Sequence, residues 1–122
     1  MTDTTSILVI EDDHALSEVL REVIEVLGYE AHIIADGLEA LTYLRGQVPD
    51  IIFLDMHLPN VPGMDILHFI KGNTGFDNTQ VIVMTADSVL RQEAEIYTLA
   101  LLKPFTIDDV QNALSKAVAR MG

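Results

Sequence analysis

The segment Pro49-Asp50-Ile51-Ile52-Phe53-Leu54-Asp55-Met56-His57-Leu58-Pro59 decides how the rest of the chain is read. Ile51 to Leu54 are apolar without alternation, the pattern of a parallel strand covered on both faces. Asp55 ends the run, and a loop follows through Pro59. A second run of the same kind, Ile7-Leu8-Val9-Ile10, ends in Glu11-Asp12-Asp13. If both runs are parallel strands of one sheet, their carboxylates meet at the carboxyl edge, where open α/β sheets bind ligands. Converging carboxylates repel one another unless a cation or protons neutralise them. An oxygen-only donor set suits a hard cation, Mg²⁺ above all.

Outward from these two runs, strand-like and helix-period segments alternate, the signature of a parallel α/β sheet. Leu16, Val19, Leu20, Val23, Ile24 and Leu27 recur at helical spacing, and Gly28 stops that segment. Ala31 to Ala35 reads as a strand, at an edge because it carries His32. Asp36-Gly37-Leu38-Glu39 has the form of a capping box for a helix bearing Leu38, Leu41 and Leu44. Pro59, Pro62 and Gly63 lead into a third helix with Ile66, Leu67 and Ile70 inward, and Gly72-Asn73-Thr74-Gly75 forms a turn. Val81 to Met84 is a fourth strand, Asp87 to about Tyr97 a weakly patterned helix, and Leu99 to Leu102 a short fifth strand. Thr106-Ile107-Asp108-Asp109 caps a last helix with Val110, Leu114, Val118 and Met121 on one face. The expected count is five strands and five helices, with no repeat and no interdomain linker.

A chain of 122 residues, 49% of them hydrophobic, fits one domain with a single filled core, here residues 1–122. There is no apolar run of about 18 residues, so no membrane span is expected. The N-terminal stretch lacks the basic start and apolar core of a signal peptide, which favours the cytoplasm. With 7 basic and 19 acidic residues the formal net charge is −12. That charge disfavours direct binding to nucleic acid or to anionic membranes and supports solubility. The absence of cysteine excludes disulfides and thiol chemistry.

Thr85 follows the fourth strand and Lys103-Pro104 the fifth, so both arrive at the edge that holds Asp55 and Glu11-Asp12-Asp13. An aspartate can take a phosphoryl group on its carboxylate, and a cation offsets the charge of the incoming group. Asp12, Asp55 and a backbone carbonyl just after Asp55 could hold Mg²⁺. Lys103 is the one lysine at a strand end; it can pair with a phosphoryl oxygen, and the Thr85 hydroxyl can bond another. Plainer roles fit other residues. Asp13 caps the first helix, Lys103-Pro104 makes a turn that can be cis, and His14, His32, His57 and His68 lack ligand-like spacing.

These motifs, taken in order with Gly28-Tyr29, Asp36-Gly37-Leu38-Glu39-Ala40-Leu41, Thr85-Ala86 and Lys103-Pro104-Phe105, resemble the receiver domain of two-component response regulators. The resemblance covers nearly the whole chain and implies a flavodoxin-like, doubly wound (βα)5 sandwich with strand order 2-1-3-4-5. It implies that Asp55 is the phosphoacceptor, charged by a sensor histidine kinase or a histidine phosphotransfer protein. It implies that Mg²⁺ is held by Asp12 directly, by Glu11 through water, by Asp55 and by the carbonyl of His57. Thr85 and Lys103 are then the phosphoryl-sensing residues, Ala86 leaves room for the group, and His57 and Asp87 flank the site. The implied function is a signalling switch, catalysing only its own phosphorylation and dephosphorylation, that acts on an output domain or protein.

One region departs from the family pattern. Thr85 and Lys103 stand 18 positions apart, about one helical turn fewer than usual. Ala100 occupies the position of the aromatic switch residue, and Tyr97 is the nearest aromatic. The short segment from Asp87 to Tyr97 is expected to reorder as a whole on phosphorylation, since weakly held elements tend to be the ones that switch. Two other functions compete. A haloacid-dehalogenase-type phosphatase also uses Asp, Thr or Ser, and Lys at strand ends, but needs a second aspartate where His57 stands. A degenerate receiver serving only as a scaffold would not need the whole set Glu11, Asp12, Asp55, Thr85 and Lys103.

Overall fold

The structure, a computed structural model, describes residues 5–96 and 98–121. Five parallel strands form one sheet: β1 (Ser6–Ile10), β2 (Glu30–Ile34), β3 (Ile51–Asp55), β4 (Gln80–Thr85) and β5 (Leu99–Leu102). Five helices alternate with them: α1 (His14–Val26), α2 (Gly37–Leu44), α3 (Gly63–Lys71), α4 (Ser88–Glu95) and α5 (Ile107–Arg120). A short 3₁₀ turn, Thr74–Phe76, follows α3. The spatial order is β2-β1-β3-β4-β5, the doubly wound arrangement expected from the motifs. Tyr97, the aromatic expected to stand near the switch, lies outside the described residues.

The apolar runs become inner strands because both of their faces are covered. Every residue of β3 is buried. Along the strands, successive residues alternate between two cores. Leu8, Ile10, Ile52, Leu54, Val81 and Val83 pack with Ile66, Leu67 and Ile70 of α3 and with Ala40 and Leu44 of α2. Ile7, Val9, Ile51, Phe53, Ile82 and Met84 pack with Leu20 and Ile24 of α1 and with Val110 and Leu114 of α5. Each such aliphatic or aromatic side chain contributes about 1.5–3 kcal/mol when fully buried. β2 is an edge strand, and His32 is exposed on it, stacked on Tyr43 with ring centroids 4.9 Å apart.

The helix starts follow the capping chemistry with one refinement. Asp13 accepts from the Leu16 N–H, and Thr106 with Asp109 completes a reciprocal box at α5. At α2 the Asp36 carboxylate accepts from the N–H groups of Leu38 and Glu39, so the cap is one-sided. Leu38 is exposed; the buried stripe of α2 runs through Gly37, Ala40 and Leu44 instead. Val19 on α1 is likewise turned to solvent. Gly28 follows α1 at φ +95, a left-handed conformation that suits glycine.

α4 is the weakest element. Its eight residues bury Ala94, and Val89 is exposed. By contrast α1 buries Ser17, Leu20, Val23 and Ile24. Among the described residues no helix is long and apolar enough to cross a membrane.

Gly63 fixes the loop that leaves β3. Any Cβ there would collide with the carbonyl oxygen of Asp55 and the Cα of Met56, which are backbone atoms and cannot swing away. Gly63→Ala should therefore cost about 1–3 kcal/mol, in the range of overpacking. A urea melt checks this, and an unchanged midpoint would show that the loop yields freely.

Candidate functional site

β1 and β3 lie side by side, with Ile10 opposite Leu54, so Glu11 and Asp55 leave the sheet at the same edge. The Glu11 N–H donates to the Ile34 carbonyl at 3.1 Å, which continues the β1–β2 ladder one step and holds the residue in place. Glu11 and Asp55 are each 1% exposed, whereas Asp12, next to the Asp13 cap of α1, is exposed. Carboxylate oxygens of Glu11, Asp12 and Asp55 all lie within 4.8 Å of one another.

Lys103 comes in from the far side of the sheet. Its backbone N–H donates to the Thr85 carbonyl at 2.7 Å, and the Lys103–Pro104 peptide is cis. Its Nζ lies 2.8 Å from Glu11 Oε1 and 3.3 Å from Asp55 Oδ1. The His57 N–H donates to Asp55 Oδ1 at 3.0 Å, and the Asp13 N–H to Glu11 Oε2 at 3.1 Å. Thr85 ends β4 fully buried; its Oγ1 accepts from the Asp87 N–H at 3.1 Å and lies 3.3 Å from His57 Nε2. Asp87 caps α4, accepting from the N–H groups of Val89 and Leu90.

The electrostatics divide the two buried carboxylates. Burial pushes Glu11 up to about 7; Lys103 opposes that rise, and the neighbouring Asp55 adds to it. Burial also acts to raise Asp55, but a hydrogen bond with Glu11, the His57 N–H and the charge of Lys103 outweigh it and hold Asp55 below its ordinary value. Lys103 is pushed up, because its contacts with Glu11 and Asp55 outweigh the effect of burial. A proton at this site thus resides on Glu11, and Asp55 stays ionised. Lys103 is a single cation beside three carboxyl groups, and the all-oxygen cluster has the chemistry of a hard-cation site.

Glu11, Asp12, Asp55, Thr85 and Lys103 therefore lie together, as their positions at strand ends predict, and His57 in the loop after β3 joins them. Three features had weaker signals. The His57 ring touches Thr85; its spacing alone reads as a loop residue, and the family resemblance is what set its side chain beside the site. Asn60, at φ 69, donates from its side chain to Asp36 and ties the β3 loop to the start of α2. A Pro-Asn pair is the only hint of that conformation, since Asn tolerates it better than most residues. The third is Gly63, whose need for glycine comes from its close approach to the backbone of Asp55 and Met56 at the end of β3, which no local pattern shows.

Residues 7–115 match the family model of the response regulator receiver domain. The sporulation initiation phosphotransferase F of Bacillus subtilis is 35% identical over 114 residues, covering 90% of each chain. The polar-differentiation response regulator DivK of Brucella ovis is 33% identical over 93 residues, 76% of each chain. A response regulator from Chloroflexus aurantiacus has the same fold, with a TM-score of 0.87 at 23% identity, covering 96% of this chain and 99% of that one. So does the receiver domain of a sensor histidine kinase from Pseudomonas aeruginosa, solved with a magnesium ion coordinated in its active-site cleft, with a TM-score of 0.83 at 24% identity over 96% of this chain and 99% of the other.

The position of the Glu11 proton has a measurable consequence in metal-free buffer. The folded protein keeps that proton up to about pH 7, while an unperturbed glutamate loses it near 4.5. Between those values the folded state holds more protons than the unfolded one, so this group's contribution to stability falls as pH rises. Urea midpoints with chelator should fall more between pH 5 and pH 7.5 for the wild type than for Glu11→Gln. Parallel pH profiles for the two proteins would contradict this assignment.

Proposed function

The chain belongs to the response regulator receiver family, whose members act as signalling switches in two-component systems, and from that premise we propose that Asp55 is its phosphoacceptor. Residues 1–122 serve as one receiver domain in this reading. The observation that carries it is the placement of Lys103 Nζ, 2.8 Å from Glu11 and 3.3 Å from Asp55, beside three carboxylates within 4.8 Å of one another.

The Asp55 carboxylate is ionised, buried and fixed by the His57 N–H, so one oxygen is ready as a nucleophile. In the transfer, a carboxylate oxygen of Asp55 bonds to phosphorus and the P–N bond of a donor phosphohistidine breaks. The electron pair of that bond returns to the donor's ring nitrogen. Asp12, Asp55, the His57 carbonyl and, through water, Glu11 would hold Mg²⁺. When bound, Mg²⁺ offsets the negative charge of the phosphoryl group. Lys103 then exchanges a carboxylate partner for a phosphoryl oxygen, and the Thr85 hydroxyl bonds another.

The donor in this reading is a sensor histidine kinase or a histidine phosphotransfer protein in the cytoplasm. The name of the Bacillus subtilis relative, a phosphotransferase, and the magnesium ion in the Pseudomonas aeruginosa receiver support the two halves of it. The output is a change in protein–protein contacts. A formal net charge of −12 speaks against direct contact with nucleic acid. The region that responds is 86–100, because Ala94 is the one fully buried residue of α4, with Leu90 partly buried, and Thr85 at the end of β4 leads directly into it.

Incubation with acetyl phosphate and Mg²⁺ should add one phosphate to the wild type by intact mass, and none to Asp55→Asn. Equal uptake by both proteins would sink the assignment.

A further inference from the structure

The Thr85 hydroxyl has one proton to give. Its oxygen already accepts the Asp87 N–H at 3.1 Å, so the proton must point elsewhere. The residue is 0% exposed, which denies it bulk water. The other polar atom recorded near Oγ1 among the described residues is His57 Nε2, at 3.3 Å. A buried hydroxyl is costly to leave without an acceptor. We propose that His57 is a positioning residue that holds the Thr85 hydroxyl in the resting state, accepting its proton at Nε2 and competing with the phosphoryl group for it.

This inference rests on the phosphoacceptor reading of Asp55 and adds a regulatory contact to the same site. Its geometry is compact. The His57 N–H binds the Asp55 carboxylate while its ring reaches Thr85, so one residue touches both the acceptor and the sensing hydroxyl. The imidazole carries its own proton on Nδ1 in this arrangement. On phosphorylation Thr85 must give up His57 to bond a phosphoryl oxygen. The strength of the resting contact therefore subtracts from the affinity for the activated state. His57 is exposed, so removing its ring opens no buried cavity.

Binding of beryllium fluoride, a phosphoryl mimic, in saturating Mg²⁺ tests the contact. Losing one such hydrogen bond from the resting state should tighten binding by roughly three- to tenfold in His57→Ala. In a Thr85→Ala background the same His57 change should have no effect, because the hydroxyl that His57 holds is gone. Equal tightening in both backgrounds would mean that His57 acts on the phosphoryl group directly, and no tightening in either would remove the contact altogether; both overturn the proposal. Ring ¹⁵N shifts of wild-type His57 at pH 8 should show an Nε2 without a proton that loses its hydrogen bond when the mimic binds. A protonated Nε2 would also overturn it. Should the wild type bind no mimic and take no phosphate, the phosphoacceptor reading fails; normal phosphate uptake with an inert His57 removes only this contact.

Discussion

The contact on which the site depends is the Lys103 ammonium lodged between Glu11 and Asp55. Two buried carboxylates at one sheet edge would otherwise face each other with little solvent to screen them. Desolvating ions costs several kcal/mol each, and their attraction repays this only where the geometry and further hydrogen bonds are good. Here the further bonds are present: the Asp13 and His57 N–H groups each serve one carboxylate. The strands beneath supply the rigidity, with β3 buried throughout and flanked on both sides.

Much of this was legible in the sequence because the sheet reads as unbroken apolar runs. Ile7–Ile10 and Ile51–Leu54 have the length and β-branched content of covered strands, and Glu11 and Asp55 come next in the chain. The side on which Thr85 and Lys103 emerge followed from the same logic. What stayed hidden depended on atoms far apart in the chain. The Lys103–Glu11 pair spans 92 positions, and no local pattern announces it. The exposure of Leu38 shows the limit of periodicity on short helices: α2 is eight residues long and the stripe that packs is set by Gly37 and Ala40, whose small size lets the helix approach. The Asp36 half of a capping box formed without the Glu39 half; the Asp36 carboxylate takes two backbone N–H groups and the Asn60 side chain.

The shortened stretch after β4 has a physical counterpart. α4 buries one alanine, and Ala100 on β5 is only partly buried beside it. A ring that moves from surface to interior cannot be the readout at Ala100. Thr85, however, connects the buried end of β4 to the Asp87 cap of α4 by its own hydroxyl. A shift of that hydroxyl changes the first turn of α4 directly, so a weakly packed helix can respond without an aromatic lever.

The central claim is that the carboxylate cluster is a cation site in which Asp12 is a direct ligand. Calorimetric titration of Mg²⁺ into the wild type and Asp12→Ala tests it most directly. The account predicts one-to-one binding by the wild type, weakened at least about tenfold by loss of Asp12. Equal Mg²⁺ affinity in the two proteins would contradict it.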